Sequence, residues 1–194
     1  MFDGIVFDLD GTLADSRLDF AAMRAETGCP QGTGLLEFID ALGSDAERRQ
    51  AMSVIHYYEM DGAQRATWID GAESLCHRLR GSGMPLGVFT RNSREAAELM
   101  VASLGIPCDE LVAREDAAAK PDPEGLFHIA RRFSLAPAQM LCVGDFLYDL
   151  QAAANAGMPS CLYDPQGDSP HGRHADYVVA SFHELAAMLY GDTP

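Results

Sequence analysis

The chain has 194 residues, 47% of them hydrophobic, and its 29 acidic against 14 basic residues give a formal net charge of -15. That length and apolar content suffice for one sizeable domain or a domain with a modest insertion, and disorder is not the expectation. The acidic balance, with no basic cluster beyond pairs such as Arg48-Arg49 and Arg131-Arg132, argues against nucleic acid as a partner, and the lack of any run of 18 uncharged apolar residues argues against a membrane span.

The first apolar run, 4–9, contains Asp8 and has no basic stretch before it, so it reads as a buried strand and not as a secretion signal. It ends in Asp8-Leu-Asp10-Gly-Thr-Leu-Ala-Asp15-Ser16. Residues two apart on a strand share a face, so Asp8 and Asp10 are expected to converge at its carboxyl end. Two carboxylates that close repel one another, and a hard divalent cation relieves the repulsion. With no His or Cys beside them, Mg²⁺ suits the pair better than Zn²⁺. Gly11 supplies backbone freedom for the exit from the strand. Taken alone, the pair is also what an Asx-turn at a strand end looks like.

From 17 to 69 no strand-like run appears; Leu18 and Met23, then Leu35, Leu36, Ile39 and Leu42, recur at helical spacing. The stretch is several times longer than a βα connection, so a helical insertion over 17–69 is expected, set into one α/β core formed by 1–16 and 70–194. The insertion carries five arginines (Arg17, Arg24, Arg48, Arg49 and Arg65) against eight acidic residues. An arginine near the site would clamp a second anionic group of a substrate; elsewhere it would only solvate a helix face. Trp68 is expected to pack where the insertion returns to the core.

A helix over 72–79 and a strand over 85–90 follow. The strand runs into Thr90-Arg91-Asn92-Ser93, where hydroxyls and N–H groups at the start of a helix over 93–104 form either an anion site or simply an N-cap, and Gly105 stands just past that helix. Lys120-Pro121-Asp122-Pro123 then mounts the only lysine of the chain between fixed backbone segments, just before a helix over 124–133. An ammonium so placed can neutralise a phosphate or buffer a carboxylate nucleophile. A strand over 140–144 leads into Gly144-Asp145-Phe-Leu-Tyr-Asp149, a second acidic pair at a strand end. Asp149 falls in the first turn of a helix over 148–155, where the helix dipole by itself favours a carboxylate.

Strands over 159–163 and 176–180 and a helix over 182–189 complete the pattern. Between them, 164–173 reads as a surface loop, in which His171 and His174 lack a third metal ligand nearby. Near-continuous apolar strands alternating with helices predict a doubly wound, mainly parallel α/β sheet, each strand buried on both faces. Ligands bind such sheets outside the carboxyl ends of strands at a switch point, so the two acidic pairs can meet over one metal. The five cysteines (Cys29, Cys76, Cys108, Cys142 and Cys161) form no CxxC pair and are odd in number, which points to a reducing cytoplasm, with Cys142 an inert buried thiol.

Asp8-x-Asp10-Gly-Thr-Leu with Asp15-Ser16, Thr90 after an apolar strand, Lys120-Pro121 and Gly144-Asp145-x-x-x-Asp149 occur in the order in which the haloacid dehalogenase (HAD) superfamily carries its four motifs. The chain resembles that superfamily, specifically its phosphoglycolate-phosphatase-like hydrolases. The resemblance implies a Rossmann-like core with a small all-helical cap after the first strand, acting as a Mg²⁺-dependent phosphatase of small phosphorylated metabolites. It implies that Asp8 attacks phosphorus to form an aspartyl-phosphate, while Asp10 protonates the leaving oxygen and then activates water. It also implies Mg²⁺ held by Asp8, the backbone carbonyl of Asp10 and Asp145, with Asp149 acting through water. Thr90 and Lys120 would hold phosphoryl oxygens, assisted by Asn92 and by N–H groups near Gly11 and Arg91.

Asp10 separates the chain from dehalogenase relatives, and the lack of lysine in 17–69 separates it from phosphonatase relatives. A phosphosugar mutase using the same aspartates, or a catalytically idle binding module, are the alternatives. Asp70-Gly71 stands where a proline often precedes the glycine, and the cap is shorter than in many relatives. Both departures point away from phosphoglycolate itself and towards larger substrates.

Overall fold

The computed structural model describes residues 2–191, so positions 1 and 192–194 of the expected core segments lie outside the described residues. Among the described residues six strands form a wholly parallel sheet, β1 (Gly4–Phe7), β4 (Leu86–Phe89), β5 (Glu110–Val112), β6 (Met140–Gly144), β7 (Ser160–Tyr163) and β8 (Tyr177–Val179), in the order β5-β4-β1-β6-β7-β8. β1 lies between β4 and β6, with Phe7 in register with Val88 on one side and Val143 on the other.

Alternation along the central strands sends side chains to opposite faces. Ile5 and Phe7 join Val88, Leu141 and Val143 in a core against α4 (Ala72–Gly81), α5 (Arg94–Leu104) and α8 (Phe182–Tyr190). Val6 and Phe89 instead join Met140 and Cys142 against α6 (Glu124–Phe133) and α7 (Leu147–Ala156). The expected doubly wound parallel sheet is thus present, with helices on both of its faces. Local chemistry sets the helix ends: the Ser93 hydroxyl accepts from the Ala96 N–H, and Gly105 and Gly157 adopt the left-handed conformation just past α5 and α7.

Three sequence expectations need correction. β5 is a further strand that the pattern of long apolar runs does not mark, because it opens on Glu110 and its apolar stretch, Leu111-Val112-Ala113, is short; backbone pairing with β4 makes it a strand. The 17–69 stretch is not free of strand: β3 (Thr67–Trp68) pairs antiparallel with β2 (Ala14–Asp15), two residues on each side, too short for any periodicity. β8 is not buried on both faces, since it forms the sheet edge and exposes Tyr177 and Val178.

Between β2 and β3 run α1 (Phe20–Thr27), α2 (Leu35–Asp40) and α3 (Asp45–Arg65), packed around Met23, Ile39, Ala51 and Ile55, a cluster separate from the two on the sheet. Trp68 packs against the larger sheet core and donates from Nε1 to the Leu104 carbonyl at 3.0 Å. All five cysteines are unpaired, and burial pushes the Cys142 thiol well above its ordinary pKa. Among the described residues no helix is long and apolar enough to cross a membrane.

Leu141, in the middle of β6, is fully buried. Leu141→Ala is expected to lower the unfolding free energy by about 2–5 kcal/mol, read as a drop in the denaturant midpoint at unchanged slope. A loss below about 0.5 kcal/mol, the level of ordinary surface changes, would contradict this packing.

Candidate active site

The carboxyl ends of β1, β4 and β6 meet where the winding direction of the sheet reverses. Asp8 follows β1, Thr90 follows β4 and Asp145 follows β6, so three adjacent strands deliver three site residues to one crevice. Asp8 is anchored by its N–H, which donates to the Val143 carbonyl at 2.8 Å. Asp149 lies in the first turn of α7, and its Oδ2 accepts from the Phe146 N–H at 3.1 Å.

Lys120 enters from the connection between β5 and α6, and its Lys120-Pro121 peptide is cis. Its side chain is 3% exposed, and Nζ donates to Asp8 Oδ1 at 2.5 Å, Asp149 Oδ1 at 2.6 Å and the Phe89 carbonyl at 2.7 Å. An ammonium has three N–H donors, and each here has an oxygen acceptor.

Asp8, Asp145 and Asp149 each present an oxygen within 4.8 Å of the others. Burial pushes the Asp8 carboxyl well above its usual range, with Lys120 opposing and Asp149 and Asp145 reinforcing the rise. Burial, followed by the charge of Asp149, pushes Asp145 up to about 6. Burial would depress Lys120, but Asp149 and Asp8 outweigh it and keep its pKa raised. One ammonium cannot balance three clustered carboxylates, and the remaining negative charge with an all-oxygen donor set fits a hard divalent cation. Two glycines make room for this arrangement. A Cβ on Gly11, whose φ is +79°, would strike Asp145 Oδ2, and one on Gly144 would strike Asp149 Cγ.

Asp10 does not join the acidic cluster. β1 ends at Phe7, so strand alternation no longer governs the chain at Asp10, which lines the same cavity as Asp8 but has its own partners. The Asp10 carboxylate instead accepts from the Ser16 hydroxyl and the Asn92 side-chain amide. Burial pushes Asp10 up to about 6 even though those two hydrogen bonds favour its ionised form. The site therefore holds two acidic environments, a cluster bound to an ammonium and a separate carboxyl that keeps its proton near neutrality more readily than a free aspartate does.

The other expected site residues have these partners within the protein. The Gly11 N–H is already given to the Ala14 carbonyl at 2.9 Å. Thr90 is buried, its N–H bonded to the Val112 carbonyl and its hydroxyl accepting from the Asn92 N–H at 3.2 Å. The Arg91 side chain reaches Glu37 of α2 at 2.7 Å and lies over the Tyr148 ring, 4.3 Å from its centroid. His171 packs edge-on against Phe146, with ring centroids 5.2 Å apart.

Sequence reasoning missed the pair that joins α3 to this crevice. Glu59, 4% exposed, accepts from both terminal nitrogens of Arg114, at 2.6 and 3.1 Å, and from the Ser93 N–H at 3.2 Å. Arg114 in turn donates to the Arg91 carbonyl at 2.9 Å, and its N–H donates to the Asn92 carbonyl at 3.0 Å. The pair thus fixes the backbone that carries Thr90 and Asn92. A signal was available: Glu59 lies four residues after Ile55 and four before Ala63, on the buried stripe of α3. Thr12 was likewise overlooked; its hydroxyl donates to Asp145 Oδ1 at 3.3 Å.

The model of haloacid dehalogenase-like hydrolases matches residues 2–157. The chain is 29% identical to a haloacid dehalogenase-like hydrolase domain-containing protein of Arabidopsis thaliana, over 96% of this chain and 83% of that one. It is 32% identical to the phosphoglycolate phosphatase of Xanthomonas campestris pv. campestris, over 90% of each. Its fold matches that of a haloacid dehalogenase-like family hydrolase from Streptococcus pneumoniae with a TM-score of 0.76 at 23% identity, covering 97% of this chain and 98% of the other.

Glu59→Ala removes the bidentate carboxylate of the largely buried Arg114 guanidinium and leaves only that of Glu115, 3.9 Å away and half-exposed. The expected loss of stability is about 3–5 kcal/mol by denaturant unfolding, with a smaller loss for Glu59→Gln, which keeps a hydrogen-bonding oxygen. A loss of about 1 kcal/mol or less for the alanine variant, the range of a surface pair, would show that this contact does not hold α3 to the core.

Proposed function

Since the chain belongs to the haloacid dehalogenase-like hydrolase family, we propose that this phosphoric monoester hydrolase is a Mg²⁺-dependent phosphatase of small phosphorylated metabolites that works through a phosphoryl group carried on Asp8. The observation that carries this reading is the buried Lys120 ammonium bound to both Asp8 and Asp149, beside a separate Asp10 whose pKa is raised to about 6. The core is assigned to 1–16 and 70–194 and the cap to 17–69. The five unpaired cysteines fit a reducing cytoplasm.

In the first step a carboxylate oxygen of Asp8 forms a bond to phosphorus as the ester P–O bond breaks, and Asp10 gives its proton to the departing alcohol oxygen. In the second step Asp10, now ionised, takes a proton from water as the water oxygen attacks phosphorus, which releases phosphate and restores Asp8. The buried environment of Asp10 serves both steps, since a group titrating near neutrality both donates and accepts readily. Ser16 and Asn92 hold its carboxyl in one orientation. Lys120 opposes the burial that would neutralise Asp8 and offers positive charge to the phosphoryl oxygens, to which Thr90 and Asn92 offer neutral hydrogen-bond donors. Asp8, the Asp10 carbonyl and Asp145, with Asp149 behind them, would hold Mg²⁺, which when bound supplies charge neutralisation for the carboxylates and the phosphoryl group.

Asp8→Asn is expected to abolish Mg²⁺-dependent phosphate release from p-nitrophenyl phosphate; retained activity sinks the assignment. Lys120→Arg should lower kcat by about a hundredfold or more, because a planar guanidinium does not reproduce three convergent bonds from one nitrogen in a 3%-exposed site. Near-normal kcat in a folded Lys120→Arg protein would remove Lys120 from the mechanism.

A further inference from the structure

We infer that the substrates are phosphate monoesters of bulky, uncharged alcohols with an apolar or aromatic face, and not esters that carry a second anionic group. The inference rests on the phosphatase reading above and adds the chemistry of the leaving group. Size is the first observation. The crevice over Asp8 and Lys120 opens into a cavity of about 640 Å³, within the ~300–1,000 Å³ that encloses drug-sized ligands. A phosphoryl group on a two-carbon acid would leave most of that space to water.

The lining is the second observation. Among its lining residues are apolar and aromatic side chains on two sides: Phe20, Leu35, Leu36 and Ile55 on the side of α1–α3, and Phe146 and Tyr148 on the sheet side. Phe20 and Phe146 are among the few large apolar side chains left exposed, at 55% and 47%. The Phe146 and Tyr148 rings pack edge-on, with centroids 5.3 Å apart. A sugar ring or aromatic group that covers such rings gains hydrophobic burial that a small acid cannot.

Charge is the third. The cations that line the cavity are Arg17, Arg24, Arg91, Arg114 and Lys120, and each has a partner within the protein. Lys120 is bound by Asp8 and Asp149, and Arg114 by Glu59. Arg24 donates to the Pro30 carbonyl at 2.8 Å and the Thr33 carbonyl at 2.6 Å. Arg17 lies 3.5 Å from Asp15, with side chains 62% and 50% exposed, at the mouth of the cavity. Arg91 is held by Glu37 at 2.7 Å and by the Tyr148 ring, and its Nη1 is buried without a hydrogen-bond partner. A carboxylate or second phosphate on the leaving group would have to displace Glu37 or sit among Asp15, Glu37 and Glu59, at a cost in repulsion. Glu37 and Glu59 of the insertion thus mask Arg91 and Arg114, Asp15 lies against Arg17, and Arg24 is turned onto backbone carbonyls.

The test compares kcat/KM for phosphate release from three alkyl esters, ethyl phosphate, 2-phenylethyl phosphate and phosphoglycolate, with p-nitrophenyl phosphate as a general reporter. The expected order places 2-phenylethyl phosphate about tenfold or more above ethyl phosphate, with phosphoglycolate below both. Phe146→Ala should remove most of the phenylethyl advantage, and Glu37→Gln, which unmasks Arg91, should raise phosphoglycolate turnover about two- to fivefold while leaving ethyl phosphate unchanged. Phosphoglycolate at or above 2-phenylethyl phosphate overturns the inference while turnover of p-nitrophenyl phosphate leaves the phosphatase reading standing. If no ester is hydrolysed with Mg²⁺ present, the phosphatase reading falls and takes this inference with it.

Discussion

A buried ammonium and the carboxylates around it are the constraint on which the rest of the structure depends. Lys120, 3% exposed, and Asp149, 5% exposed, would each be costly to bury alone. They coexist with Asp8 because three convergent oxygens complete the lysine's hydrogen bonds and because the lysine offsets part of the carboxylate charge. Most of what positions those groups is backbone: the ends of β1 and β6, the β5–α6 connection, the first turn of α7, and two glycines where a side chain would strike Asp145 or Asp149. The apolar strands are therefore the mount for a charged site, and their burial on both faces gives that mount its rigidity.

Keeping Asp10 out of that cluster is as important as assembling it. A fourth carboxylate around one lysine would add to the repulsion among the three already there. The sharp exit from β1, with Gly11 at positive φ and its N–H closed onto Ala14, turns Asp10 towards Ser16 and Asn92 instead. Two aspartates two residues apart thus acquire different surroundings, which is how chemically identical groups take different roles.

How much of this was legible in the sequence follows from the range of each interaction. Apolar strands such as Ile5-Val6-Phe7 and the capping residues Ser93, Gly105 and Gly157 act locally, and their elements fell where expected. The acidic strand ends and Lys120 were legible because they form ordered motifs. β5 was not, since three residues beside Asp109 become a strand only through pairing with β4, and neither was the β2–β3 pair. The separate partners of Asp8 and Asp10 were not legible either, because strand geometry ends at Phe7. Glu37, Glu59 and Arg114 were missed for a related reason: each is an ordinary charged residue in its own segment, and only the folded chain brings a glutamate of α2 or α3 against an arginine 54 or 55 positions away.

Those two pairs also explain why the insertion and the reaction site cannot be treated as independent parts. Arg91 stands between Thr90 and Asn92, and Arg114 bonds the Arg91 and Asn92 carbonyls while its guanidinium is clamped by Glu59. Glu59 also takes the Ser93 N–H, so one carboxylate of α3 grips both ends of the short segment that follows β4. A shift of α3 therefore has to break a buried charge pair or carry with it the backbone that presents Asn92 to Asp10. The Glu37–Arg91 contact is more exposed and weaker than the Glu59–Arg114 pair. The difference in burial gives the two ion pairs different roles. Glu59 with Arg114 fixes the backbone that presents Asn92 to Asp10, whereas Glu37 with Arg91 sets the charge on the α2 side of the cavity.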